Sequence, residues 1–274
     1  AANLVRRNMA TPAPRSRVSL KAVALPNEHG GWGFTLEPVL LGLLVASSGA
    51  GLGLGLFALA AFFTRHPLKL WLTDLRRGKT FPRTALARNF ALLYGFLAVA
   101  GLLWTARWAA GPFWIPLLLA LPLVGVQLWF DARNQGRNLL PELCGAVAMG
   151  AIATGIALAA GQNPLLAYGL WQVLAARSLA SIFYARAQVR RARGERVEVV
   201  PVYLAEGLAI AGLVLGAWLG WLPWTSVLAL ALLLPWTLYT LHRPPMPARA
   251  VGWSQMALGL LVVLSTALGA RGGL

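Results

Sequence analysis

From residue 33 onward the chain alternates long apolar stretches with short polar breaks, and the breaks carry Gly, Pro, Asn, Asp and most of the charge. Spanning a bilayer takes about 20 apolar residues per helix, and the apolar stretches are long for strands. About nine spans are predicted, near 33–48, 50–64, 86–105, 112–130, 139–160, 165–184, 201–220, 223–241 and 251–269, the first two of them short. The fold class is therefore all-α, a polytopic transmembrane helical bundle. It forms one transmembrane domain over residues 25–274, preceded by a basic arm over 1–24. The longest polar linker expected is 65–85, and no signal peptide is read in the basic, Pro-containing start.

Composition agrees: of 274 residues 58% are hydrophobic and 12% charged, with a mean hydropathy of +0.65. The net charge of +16 would suggest nucleic acid in a soluble chain. Here the position of the cations matters more. Arg65, Lys69, Arg76, Arg77, Lys79, Arg83 and Arg88 follow span two; Arg133 and Arg137 follow span four. Arg186, Arg190, Arg191, Arg193 and Arg196 follow span six, and Arg243 and Arg249 follow span eight. The opposite face keeps only Arg107 and Arg271. Positive charge marks the cytoplasmic side, so a multi-pass cell-membrane protein with a cytoplasmic N-terminus and no nucleic-acid partner is expected. Trp104, Trp108, Trp114, Trp218, Trp221 and Trp224 flank two external turns, as interfacial anchors do. The run GAGLGLGLF, with Gly49, Gly51, Gly53 and Gly55, predicts close helix packing and no phosphate loop. Cys144, the lone cysteine, cannot form an intrachain disulfide.

Every acid and every histidine also falls on the basic half: Glu28, His29, Glu37, His66, Asp74, Asp131, Glu142, Glu195, Glu198, Glu206 and His242. An ionised group at a helix centre costs roughly 2.5–3.5 kcal/mol on the insertion scale. Several spans carrying such groups on the same side predict a shared polar chamber. Arg177, Ser181, Tyr184 and Gln188 recur at spacings of four, three and four, which places them on one helical face. For Arg177 that face either meets a ligand or pairs with a glutamate of a neighbouring span. For Glu37 and Glu206, structural pairing is the expectation.

The segment FDARNQGRNLLPE, residues 130–142, is the densest polar insert. Gly136 suits a tight turn, Asn138 a helix cap, and Pro141 a first helical turn. Those roles leave Asp131, Arg133, Asn134 and Arg137 unexplained, and these are read as functional.

Four segments, PNEHGGWGFTLEPVLLG, RHPLKLWLTD, DARNQGRNLLPELCG and SLASIFYARAQVRRARG, together resemble the YwiC-like family of bacterial membrane proteins, over nearly the whole chain from residue 25. That family is similar in plan to the UbiA superfamily of intramembrane prenyltransferases. The likeness implies nine helices, a site at the cytoplasmic ends of the second and fourth, and a lipid-accessible cavity. The superfamily's second acid motif is matched in part by Asp131, Gln135, Gly136, Arg137, Leu140 and Pro141. Its first is replaced by Arg65, His66 and Lys69, with Asp74 further along.

The resemblance thus implies a transferase acting on an isoprenoid or other lipid with a diphosphate-like head. Arg65, His66, Lys69, Arg133, Asn134, Arg137, Asn138, Arg177, Tyr184 and Arg186 are the candidate substrate-binding residues. Candidate catalytic groups are Asp131, Glu142, Glu28 and His29, the last two as general base. Asp131 is also the candidate ligand for one magnesium ion, the only cofactor considered. Membrane lipids and the lipid substrate are the expected partners, and the oligomeric state is not legible. Two other classes remain: a transporter, disfavoured by an outer half nearly free of ionisable groups, and a non-catalytic membrane assembly factor docking through basic loops.

Overall fold

The computed structural model describes residues 19–25 and 29–273, the side chains of residues 29–31 excepted. Its helices are α1 (Leu20–Ala24), α2 (His29–Val45), α3 (Gly49–Arg76), α4 (Pro82–Trp108), α5 (Trp114–Ala132), α6 (Leu139–Ala159), α7 (Pro164–Ala192), α8 (Val200–Trp218), α9 (Trp224–Ala231), α10 (Leu233–Leu241) and α11 (Ala248–Gly272). Among the described residues there is no strand. Eight helical segments are long and apolar enough to cross a membrane: α3 to α8, α9 with α10 as one span, and α11. The first expected span, α2, has only 17 residues, about 25 Å of helix against a hydrocarbon core of about 30 Å.

Three boundaries differ from expectation, one being the end of α7, which runs to Ala192 and past the expected end at 184. Residues 65–76, read as part of a linker, continue α3, which runs for 28 residues through Arg65, His66, Pro67 and Lys69. Charge ends the apolar span there but not the helix. At 1.5 Å per residue α3 is roughly 42 Å long, so its last turns project past a 30 Å core. The link to α4 is only residues 77–81. It is closed by Asp74, which is fully buried and accepts from Arg83 at 3.2 Å and from Thr84 at 2.7 Å. The eighth span is broken at Leu232. Pro235 has no N–H to give the carbonyl of Ala231, so the helical ladder lapses there and restarts as α10.

Short links make successive spans antiparallel. They gather the ends of α3, α5, α7 and α10 and the starts of α4, α6, α8 and α11 at one end of the bundle, hereafter the basic end. The six anchor tryptophans belong to the other end, each well exposed, and Trp104 Nε1 donates to Gly49 O at 3.0 Å. α6 is the centre. Its sequence, AVAMGAIATGIALA, is small and apolar all round, and it packs against α2, α3, α5 and α7. α4 and α5 lie outermost, with most of their apolar side chains facing outward. The most extensive helix contact, α3 with α4, runs over glycines. A Cβ on Gly53 would lie 2.8 Å from Thr105 Oγ1 and 2.9 Å from Gly101 O. The glycine run is therefore a packing surface, as expected.

Candidate functional site

At the basic end Arg65, in the fourth turn from the end of α3, forms an ion pair with Asp131, in the last turn of α5. The ends of spans two and four thus adjoin at the basic end. Their side chains are 46% and 22% exposed, so the pair is open to a ligand on one side. The turn beyond Asp131 is built around it. Asn134 takes the left-handed conformation, φ +57°, whereas the turn had been assigned to Gly136. The role of Gly136 is close approach instead, because a Cβ there would overlap the Asp131 carboxylate. Asn138 holds the N-cap position of α6 but makes no side-chain cap bond; its carbonyl accepts from the Glu142 N–H at 3.3 Å, and its own N–H donates to Gln135 O at 3.0 Å. Pro141 sits in the first turn as expected.

Arg133 lies over the Trp129 ring, 4.0 Å from its centroid, a cation–π contact that fixes its stem while the residue stays exposed. Arg186 of α7 reaches across to donate to Glu142 at 2.9 Å and to Arg137 O at 2.9 Å. That tie holds the 133–138 turn against α7. His66 Nε2 donates to Ala22 O at 3.1 Å, which seats α1 beside α3. Lys69, Asn134, Arg137 and Asn138 are exposed on the same end. Glu28 lies outside the described residues, as does the side chain of His29. Arg190 pairs with Glu195 at 2.7 Å. Arg191 donates to Arg243 O at 2.9 Å.

Arg177 and Tyr184 are engaged elsewhere. The stripe Arg177, Ser181, Tyr184 and Gln188 is buried along its whole length, and each member has a polar partner. Arg177, 3% exposed, lies 3.8 Å from Glu37 Oε1 of α2 and donates to Oε1 and the backbone carbonyl of Gln255 in α11. Tyr184 meets Thr240 Oγ1 of α10 at 2.8 Å, and Gln188 donates to Thr240 O at 3.2 Å. Glu206 of α8, 2% exposed, accepts from Thr237 at 3.2 Å, and its other oxygen has no partner. This second polar cluster is in the interior, between α2, α7, α8, α10 and α11. Thr237, Thr240 and Gln255 are absent from the sequence expectations, since single hydroxyls and amides inside apolar runs leave no periodic signal. The amide of Gln255 within a span was the one available cue.

For a magnesium ion the donors at the first cluster are few. Asp131 is already engaged by Arg65, and among the described residues no three His, Cys, Asp or Glu side chains converge. That set does not fit a resident ion, so the guanidinium groups are the charges available there.

Residues 25–157 match the YwiC-like protein family, just under half of the chain, in a multi-pass helical membrane bundle. The SLASIFYARAQVRRARG segment lies beyond the matched range. No curated protein and no solved structure matches the chain, so the UbiA-like plan rests only on the residues quoted for it.

Proposed function

We propose that this protein is a membrane-embedded transferase whose site, at the cytoplasmic ends of α3 and α5, takes a lipid with a diphosphate-like head. The observation that carries this reading is the Arg65–Asp131 ion pair, which brings together the two span ends on which Arg65, Lys69, Arg133 and Arg137 are arrayed. Departure of a phosphate-type leaving group needs its developing negative charge met by preorganised donors. Arg65 and Arg133 are each held in place, by Asp131 and by Trp129. Guanidinium groups match phosphate oxygens in a bidentate manner, and Lys69 adds a point charge. Asp131 orients Arg65 in this scheme, and Arg186 and Glu142 position the turn that carries Arg137. The outward-facing apolar surface of α5, with Leu121 and Leu128 exposed, runs down from the site and would take the hydrocarbon tail. Glu28 and His29 remain the proposed bases for deprotonating an acceptor.

The test is lipid extraction and native mass spectrometry of the purified protein. A phosphate-headed isoprenoid or glycerolipid should co-purify, and an Arg65→Ala, Arg133→Ala variant should retain it at least about a hundredfold less, since each charge-assisted hydrogen bond contributes about 1.5–3 kcal/mol. Asp131→Ala should stay folded and monodisperse while losing turnover of that lipid. Equal retention by the double variant, or co-purification of uncharged lipids alone, would overturn the reading. A transporter is the second reading, favoured by the polar cluster at Glu37 and Arg177 near the middle of their helices. Flux of a lipid-free anion into proteoliposomes would support it instead.

A further inference from the structure

Between α7, α8, α10 and α11 is a cavity of about 10 Å³, lined among others by Ser181, Tyr184, Glu206, Thr237 and Gln255. That is room for one atom-sized guest. The hydrogens around it can be assigned by their bonds. Thr240 donates to Trp236 O at 2.8 Å, so Tyr184 donates to Thr240 and receives Gln188 Nε2 at 3.3 Å. Ser181 donates to Ser178 O at 3.1 Å, and Thr237 donates to Glu206 Oε1. Each of the three lining hydroxyls has thus given away its proton and presents lone pairs. Glu206 adds the carboxylate oxygen Oε2, which is buried without any partner. Arg177 lies beside Glu37 and directs two of its donors to Gln255. The lining is therefore rich in acceptors, and one of them, Oε2, is unmatched.

We infer that this cavity is a binding site for a single dehydrated sodium ion, held by Glu206 with the hydroxyls of Ser181, Tyr184 and Thr237. Unless Oε2 carries a proton, no donor within hydrogen-bond reach meets its charge, and a bound cation would do so. Hard cations with oxygen ligands are favoured by such a lining. Gln188 and Arg191, in contact at 3.4 Å, continue the polar column from Tyr184 toward the basic end. Glu206 lies six residues into α8, about 9 Å from its start.

Dicyclohexylcarbodiimide, which reacts with protonated carboxyl groups in apolar surroundings, tests this on the full-length protein in detergent. The rate of modification at Glu206, mapped by peptide mass spectrometry, is compared in sodium and choline chloride at one ionic strength. Sodium at ten times its half-protecting concentration should slow modification about tenfold, by mass action, while Glu37, paired with Arg177, should be indifferent to sodium. Thr237→Val and Ser181→Ala should each raise the half-protecting concentration about tenfold. The thermal midpoint of the wild type should rise with sodium over choline, and that of Glu206→Gln should not. Equal rates and equal midpoints in sodium and choline would overturn the assignment and leave a water in the cavity. Protection that follows pH identically in both salts would also overturn it, in favour of a proton site.

Discussion

Arg177→Leu is expected to destabilise the protein by about 3–5 kcal/mol, the cost of leaving a buried charge without its partner. The substitution removes the guanidinium that lies 3.8 Å from Glu37 and leaves two acceptors of Gln255 open. For a chain of this length that corresponds to a fall of about 10 °C in the unfolding midpoint, read by tryptophan fluorescence in detergent. The companion variant separates the pair from its members. Arg177→Leu with Glu37→Leu removes both charges, fills comparable volume, and should recover most of the loss, because a buried pair exchanged for apolar residues is often neutral. A double variant no more stable than Arg177→Leu alone would show that Gln255, and not Glu37, is the partner that matters. Glu37→Gln alone should fall between, since Arg177 keeps both bonds to Gln255.

The interior pair and the exposed pair are different in kind. Arg65 and Asp131 are partly solvated, so their ion pair contributes little to stability. Losing it should show in ligand retention and scarcely in the midpoint. Arg177 and Glu37 are in the opposite position, which is why stability is the informative readout for them and lipid retention for the first pair. If Arg65→Ala lowered the midpoint as far as Arg177→Leu, the distinction between a ligand site and a structural tie would fail.

What the sequence made legible follows from the physics of each feature. Span positions were legible because hydrocarbon excludes charge, and every expected span from 86 onward has its helical counterpart, although α7 runs eight residues past the expected end at 184 and 223–241 is divided between α9 and α10. The end of α3 was not, because hydropathy reports where the apolar stretch stops and says nothing of a helix that continues into polar surroundings past Arg65. The stripe from Arg177 to Gln188 was legible through its spacing, and it is buried as one face. Its partners were not: Thr237, Thr240 and Gln255 come from helices far apart in sequence, and only packing brings them to α7. Likewise the spacing of Asp131 and Gly136 suggested a turn, but which residue takes the left-handed conformation depends on the carboxylate folding back over Gly136.

The α3–α4 contact supplies the other large effect. Without a hydrophobic drive between helices inside a bilayer, association depends on backbones approaching closely over small residues. Gly101 of α4 faces α3 so tightly that a Cβ would press on Gly53 O and lie 2.9 Å from Phe57 N, both backbone atoms with no freedom to move aside. Gly95, on the same helix, has nothing within 4 Å of where its Cβ would stand. Alanine has the higher helix propensity by about 1 kcal/mol, so Gly95→Ala should leave the midpoint unchanged or raise it slightly. Gly101→Ala gains the same propensity but forces the two helices apart, and overpacking of this kind costs about 1–3 kcal/mol. With Leu at 101 the helices cannot dock in this register, and monodisperse protein should be lost in size-exclusion chromatography while Gly95→Leu still elutes as the wild type does. The contrast holds membrane insertion and helix formation constant and varies only the approach of α4 to α3. If Gly101→Leu were folded and as stable as Gly95→Leu, the two helices would not pack over their glycines, and the placement of Arg65 against Asp131 at the far end of α3 would lose its support as well.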